Sequence, residues 1–502
     1  MFSFLYPSNH LATHDSNAFS AQREAFETLG CERVVGALIA DYFTEEPEVI
    51  AYRTELFAAL LRSPKLREDL SEIGSQLAEF YENLSYMKQI DATTESSLRS
   101  LLMAKNYVQV IRRLVEILDQ HPESSSVKSL KHLYESLKEE LNSDDFRQFD
   151  SELNRYNYLI DNIKSITVGV NLDAQLRPKE AGVISINDQS FKSGNIVDRL
   201  LRLEFQKDEY CCIAPLTAAT KEMHYTERFQ VDNAVNNAFE KVLRSTSAYS
   251  VRHTAHIIDE RMIPYSGLMG ELRAIYPVLR YITRMQNGRL PLCITSPLSQ
   301  TSEDALVLED FYDPRLTEKS TVQIVKNNLR IDKKKKTVIL TGPNSGGKTV
   351  VMRAVAMSIL FASLGIPVPA MRATMILPMQ AFVAFAPENA LVNSGRLEQE
   401  CIALGKIYEA CNRPGMVFLD EPFSTTSYED AVELLYEYIG KMSRKDDTIL
   451  MVTTHFHQFA EEMNRSDTAL CCSLGYGVDQ YKLISGSVNH TSRAKNISNQ
   501  YW

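Results

Sequence analysis

No apolar run among the 502 residues reaches the ~20 needed to cross a bilayer, so no membrane association is expected. The opening Met1-Phe2-Ser3-Phe4-Leu5-Tyr6-Pro7 has no basic stretch and only a short apolar one, which makes a poor secretory signal. A cytoplasmic location is therefore expected. Cysteines are few and badly spaced for bridging: eight in all, two adjacent pairs (Cys211-Cys212 and Cys471-Cys472) and no CxxC. That pattern fits neither a disulfide framework nor a zinc site, and buried reduced thiols are the expectation. Positive charge is short as well. Lys and Arg number 54 against 64 Asp and Glu, a net charge of −10, so composition announces no polyanionic partner. The run Lys333-Lys334-Lys335-Lys336 falls between two strand-like segments and reads as a solvated hairpin turn rather than a basic patch. Repeats and low-complexity tracts are absent. What is left is an ordinary globular balance, 44% hydrophobic and 24% charged, with length for about three domains.

The first ~160 residues carry helical periodicity. Leu66, Leu70, Ile73, Leu77, Phe80 and Leu84 form one stripe, with Pro64 near its start where a missing N–H is tolerated. Further stripes run through Leu101, Val108, Ile111, Val115 and Leu118, through Leu130, Leu133, Leu137 and Leu141, and through Phe149, Leu153, Tyr156, Ile160 and Ile163. Bundle cores and long lever-like hairpins fit these stripes equally well. Two short β-branched runs follow, 166–170 and 183–186, separated by turn-prone Arg177-Pro178 and Gly182. Helical character returns at 232–243 and 268–285, the latter with a kink expected at Pro277 and a stop at Asn287-Gly288.

From about residue 305 the texture turns α/β. Strands are expected at 322–325, 337–340, 416–419 and 448–452, with helices around 350–364, 398–411 and 431–442 between them. Continuous apolar strands alternating with helices imply parallel βαβ units.

The stretch Gly342-Pro343-Asn344-Ser345-Gly346-Gly347-Lys348-Thr349 satisfies G-x4-G-K-[ST] and sits between a buried strand and an apolar helix. Its glycines let backbone N–H groups turn inward onto phosphate oxygens, and the helix after Lys348 adds its positive end. Lys348 is expected to reach the β- and γ-phosphates of ATP and Thr349 to hold Mg²⁺, with Val350 closing the nucleotide-binding stretch. About 70 residues on, Val417-Phe418-Leu419-Asp420-Glu421 ends a hydrophobic strand in two carboxylates. Asp420 is placed for the Mg²⁺ shell, and Glu421 for orienting or deprotonating the attacking water. A further strand ends in Thr453-Thr454-His455, where His455 can donate to the γ-phosphate or hold the water. His457 reads as structural.

These motifs together resemble the ATPase of the MutS family, a branch of the ABC-type ATPases. The resemblance rests on TGPNSGGKT (341–349), GIPVPA (365–370), FLDEPFSTTS (418–427) and TTHFHQF (453–459), and more loosely on 44–61, LRPKEAGVISIN (176–187) and NNAFEKVL (236–243). The family's signature element reaches the partner's γ-phosphate across a dimer. Its nearest match here is Ser394-Gly395-Arg396-Leu397-Glu398-Gln399-Glu400, with Leu397 and Glu400 aligned but Gly395 where the family has serine. Ser394 or Arg396 is the expected substitute, and Thr426 is the matching residue of the dimer-facing loop, where Thr425 replaces the family's glycine. Phe80-Tyr81-Glu82 superficially matches the mismatch wedge, but it lies in a helical stripe, so Phe80 is read as a core residue. The chain is expected to begin at the helical core, without the mismatch-binding and connector domains, and to lack the Smr nuclease domain of a second branch.

The resulting expectation is a multidomain α plus α/β protein: a helical core or lever with a small β-containing clamp-like region, then a P-loop ABC-type α/β ATPase domain. Its divisions are 1–125 (core, N-terminal part), 126–225 (clamp-like), 226–304 (core, C-terminal part) and 305–502 (ATPase). The resemblance implies a homodimeric ATPase using ATP and Mg²⁺, clamping DNA without simple mismatch recognition. A MutS-like factor acting on ribosomes or another assembly is the alternative.

Overall fold

The computed structural model describes residues 3–7, 19–90, 97–161, 164–175, 178–190, 192–193, 211–212, 267–299, 301–318, 323–343, 346–385, 396–412, 414–445, 447–466, 469–475, 480–486 and 488. The chain divides into two compact units. One comprises Met1–Phe2, Ser75–Gln120 and Tyr134–Met269, the other Ser3–Gly74, His121–Leu133 and Gly270–Trp502. The helix expected over 232–243 lies outside the described residues, as does NNAFEKVL.

In the first unit the helices Ser97–Gln120 and Asp144–Asp161 pack along their apolar stripes. Val108, Ile111, Val115 and Leu118 are buried, and the Tyr107 ring meets Phe146 and Phe149 at 6.2 and 6.3 Å. Arg112 closes on Asp150 at 2.6 Å on the same helix pair. The β-branched runs pair as an antiparallel hairpin, Ser165–Leu172 with Pro178–Asn187. Its connecting turn begins with the Asp173 carboxylate accepting the Gln175 N–H at 2.9 Å, a local bond that favours turns. The first stripe lies on the helix Pro64–Ile90, with Pro64 at its start; its residues to Gly74 are counted with the second unit and those from Ser75 with the first. Leu66, Leu70, Ile73 and Leu77 are buried on it, whereas Phe80 is half-buried with its ring edge-on to Tyr81.

The second unit is organised by a six-stranded sheet. Its order is Gln380–Ala384, Gly415–Asp420, Thr448–Thr453, Thr337–Thr341, Ala469–Leu474, Leu483–Ser485. The first five strands are parallel and the last is antiparallel. Thr337–Thr341 and Thr448–Thr453 are buried at every position, as expected of parallel strands covered on both faces. The helix Lys348–Leu364 is apolar on all sides and correspondingly buried along almost its whole length. A second, four-stranded sheet runs Ser296–Pro297, Arg372–Met375, Asp304–Phe311, Asn327–Asp332.

Two local expectations shift. The residues 323–326 are not in a strand, which starts instead at Asn327, where inward residues alternate Asn327, Leu329, Ile331. The lysine run also joins strands of two different sheets, so it is an inter-sheet turn and not a hairpin. Asp332 shapes it by accepting the Lys334 N–H at 2.7 Å. The helix expected over 268–285 is present at 267–287 and runs on through Pro277.

The N-terminal segment belongs to this second unit. The helix Ser20–Thr28 packs on the edge strand Gln380–Ala384, and Ala21 joins the core around Val417, Leu450 and Val452. Arg53, buried on the helix Pro47–Arg62, donates to the carbonyls of Leu5 (2.9 Å) and Tyr42. Glu271 accepts from Ser3 Oγ (2.6 Å), Phe4 N–H (2.6 Å) and Leu5 N–H (3.2 Å). Cys31, Cys293, Cys401, Cys411, Cys471 and Cys472 are unbridged. Burial pushes the Cys471 and Cys472 thiols up to about 11 and about 12, keeping them protonated and inert. No helix among the described residues is long and apolar enough to cross a membrane.

Candidate nucleotide site

Register brings the chemistry to one end of the sheet. Asp420 pairs with Thr453, and Thr453 with Leu340, so three neighbouring parallel strands end level. In open α/β sheets ligands bind beyond the carboxyl ends of the strands, and here the loop leaving Thr337–Thr341 turns directly over them.

The turn is tight. Gly346 donates its N–H to the Pro343 carbonyl at 2.9 Å, and a Cβ on Gly346 would stand 2.7 Å from that same oxygen. Gly347, the residue before the helix Lys348–Leu364, has φ 94°, a left-handed conformation that glycine adopts without strain. A Cβ there would approach the Tyr481 ring to 3.2 Å. Neither glycine leaves room for a side chain, and the loop leads directly into a helix start, where N–H groups can meet phosphate oxygens. Asn344 and Ser345 lie outside the described residues.

Lys348 is buried, with Nζ 2.9 Å from the Gly342 carbonyl and 3.1 Å from Glu421 Oε1. The Thr349 hydroxyl donates to Asp420 Oδ2 at 2.8 Å. Thr453 Oγ1 donates to Asp420 Oδ1 at 2.6 Å and accepts the Glu421 N–H at 2.9 Å. A hydroxyl beside a carboxylate is a hard oxygen pair, the donor set that suits Mg²⁺ held mostly by water and phosphate. The structure therefore brings Gly342, Pro343, Gly346, Gly347, Lys348, Thr349, Asp420 and Glu421 into one place. Val350 follows in the first helical turn, half-buried.

The remaining expected residues fall as follows. His455 is exposed, one residue beyond Thr454, with its ring centroid 4.4 Å from that of Phe456. His457 starts the helix His457–Arg465. Thr426 is half-buried, and its N–H donates to the Phe423 carbonyl at 3.2 Å. Arg396 begins the helix Arg396–Ala410, but its side chain and Ser394 lie outside the described residues. Two contacts carry no distinctive sequence signal. Glu400 Oε1 accepts the Phe423 N–H at 2.9 Å, and Thr453 bridges both acidic residues. Only the place of Thr453, last in the strand beside Gly415–Asp420, points to it.

The family model described as MutS domain V matches residues 338–486, and that described as MutS2 N-terminal domain matches residues 45–247. The chain is similar to the DNA mismatch repair protein MutS of Borreliella burgdorferi, 22% identical over 319 residues, covering 61% of this chain and 36% of the relative. It is 31% identical to the DNA mismatch repair protein MutS of Desulfovibrio desulfuricans over 146 residues, 28% of this chain and 16% of the relative. It is 26% identical to the DNA mismatch repair protein MSH3 of Saccharomyces cerevisiae over 218 residues, 41% of this chain and 21% of the relative. The matched stretches thus span between 16% and 36% of the length of these relatives.

Proposed function

Because this chain belongs to the MutS family, we propose that it binds ATP with Mg²⁺ on the loop 342–349, hydrolyses it, and uses that cycle to clamp DNA as a homodimer. The single observation that carries the ATPase reading is the convergence of the loop on the acidic pair, Lys348 on Glu421 at 3.1 Å and Thr349 on Asp420 at 2.8 Å. Thr349 and Asp420 would hold Mg²⁺, which when bound neutralises charge developing on the phosphate oxygens. Backbone N–H groups of the loop and the Lys348 ammonium bind and orient the phosphates. The Glu421 carboxylate accepts a hydrogen bond from the attacking water and takes its proton as that oxygen closes on the γ-phosphorus and the bond from phosphorus to the bridging oxygen breaks, releasing ADP. His455 stands at the end of the adjacent strand to hold the water or the γ-phosphate. Thr426 with Ser394 or Arg396 would face the partner's nucleotide.

DNA is the inferred partner because the relatives carry mismatch-repair names. In this proposal the divisions 1–125, 126–225 and 226–304 form the lever and clamp, and 305–502 the motor. ATP drives closure by binding the closed conformation better than the open one.

The experiment is phosphate release from MgATP by wild type and Glu421→Gln. The reading expects turnover in wild type, and a variant that binds ATP but releases no phosphate. A wild type that releases none overturns it. The DNA arm is a salt titration of binding to duplex and branched DNA, in which affinity should fall steeply as salt rises. Binding that ignores salt, or is absent, removes DNA as the partner.

A further inference from the structure

Thr453 ends the strand Thr448–Thr453 and has no part in the roles assigned above. It is fully buried, where a β-branched residue ordinarily serves only to fill the sheet. Its hydroxyl does something a valine could not. As donor it spends its single proton on Asp420 Oδ1 at 2.6 Å, and as acceptor it takes the Glu421 N–H at 2.9 Å. The Thr453 carbonyl shares that N–H at 3.2 Å.

Both bonds fall where the backbone needs help. Glu421 has φ 50°, a left-handed conformation that non-glycine residues hold only when their surroundings enforce it. Asp420, one residue earlier, has its second oxygen committed to the Thr349 hydroxyl at 2.8 Å. A carboxylate fixed at both oxygens cannot rotate, and a pinned N–H fixes the direction in which the next side chain leaves the strand.

We propose that Thr453 is a positioning residue for ATP hydrolysis. Through one hydroxyl it orients Asp420 toward Thr349, and it holds the Glu421 backbone in the left-handed conformation that sets its carboxylate 3.1 Å from Lys348. The inference rests on the ATPase reading and extends it from residues that meet substrate to one that aims them.

The test compares Thr453→Val, which keeps the shape and loses the hydroxyl, with Thr453→Ser, which keeps the hydroxyl. Both are made in the full chain and checked by circular dichroism and thermal melting. In nucleotide-free protein, hydrogen exchange at the peptide containing Glu421 should speed up in the valine variant and stay near wild type in the serine variant. A fluorescent ATP analogue should bind the valine variant about as tightly as wild type without Mg²⁺, but lose on the order of 10-fold or more of the tightening that Mg²⁺ gives. Its kcat should fall by roughly 10–100-fold with KM changed less than about threefold, and serine should restore kcat. Should valine not fold, Thr453→Ala takes its place against serine. Unchanged exchange at Glu421 in the folded valine variant overturns the proposal. So does a folded serine variant that fails as valine does, since the cause is then packing. If wild type releases no phosphate, the ATPase reading falls by itself, and the exchange and Mg²⁺-binding arms still decide what Thr453 does.

Discussion

The Thr349 hydroxyl donates to Asp420 Oδ2 over 2.8 Å, although 71 residues separate them in the chain. The bond ties the first turn of the helix Lys348–Leu364 to the last residue of the strand Gly415–Asp420. It is the contact in which the loop and the acidic strand become one site.

Thr349→Val and Asp420→Asn are each expected to leave the fold intact, because neither side chain is part of the apolar core. Each should weaken the Mg²⁺-dependent part of nucleotide binding by on the order of 10–100-fold, a typical consequence of damaging a metal's immediate surroundings. Calorimetric titration of ATP with and without Mg²⁺ reads this directly. Equal loss in both conditions would place the two residues outside the metal's reach.

A second expectation concerns the far end of the same helix. Gly365 ends Lys348–Leu364 at φ 75°, and a Cβ there would stand 2.8 Å from Arg53 Cβ and 3.1 Å from the Ile50 carbonyl. One obstacle is backbone and the other is the root of a fully buried side chain, so neither yields cheaply. Gly365→Ala combines left-handed strain with overpacking and is expected to destabilise by about 2–4 kcal/mol. Urea denaturation checks it, and a loss below about 0.5 kcal/mol would mean the helix end moves freely away from Arg53.

The third prediction is a pH dependence. Burial raises the Glu271 carboxyl to about 7, overriding the hydrogen bonds from Ser3, Phe4 and Leu5 and the nearby Arg53 charge, which act the other way. Tyr6, Tyr42 and Tyr52 surround it with hydroxyls that burial also raises, so they stay neutral. An acid held above its unfolded value binds its proton more tightly in the folded state. Its contribution is full below the ordinary glutamate range and is lost as pH climbs toward 7. Relative to Glu271→Gln, wild-type stability should therefore fall by a few kcal/mol between pH 4.5 and 8. Urea midpoints across that range test the sign, and parallel curves for the two proteins would refute it.

The parts legible in the sequence were those governed by local pattern. Strand 337–340, the loop and the apolar helix after it were readable because a continuous apolar run, a glycine turn and an all-round apolar helix are each written in consecutive residues. Asp420-Glu421 was readable once the loop was known. What stayed hidden depends on long-range pairing. Glu271 meets Ser3 across 268 positions, and nothing in the short apolar start of the chain says that a distant carboxylate will collect its N–H groups. Thr453 was visible as a strand end but not as a bridge, since its role exists only in register with Asp420. The alternation at 322–325 reads as a strand equally well, whereas the observed strand is Asn327–Asp332. Its true position is set by pairing with Asp304–Phe311.

The place of the loop-bearing strand in the sheet has a consequence for how the protein is made. Thr337–Thr341 lies between Thr448–Thr453 and Ala469–Leu474, so neither of its neighbours exists until more than a hundred further residues have been added. During synthesis a chain that has emerged only to Gly440 already carries the whole phosphate-binding motif, yet the strand that presents it has both edges bare. Such unpaired parallel strands form slowly and invite association with other chains. The nascent protein must therefore keep this apolar strand shielded for a long interval, and slowing translation between 341 and 469 should cost more soluble product than an equal delay after 475.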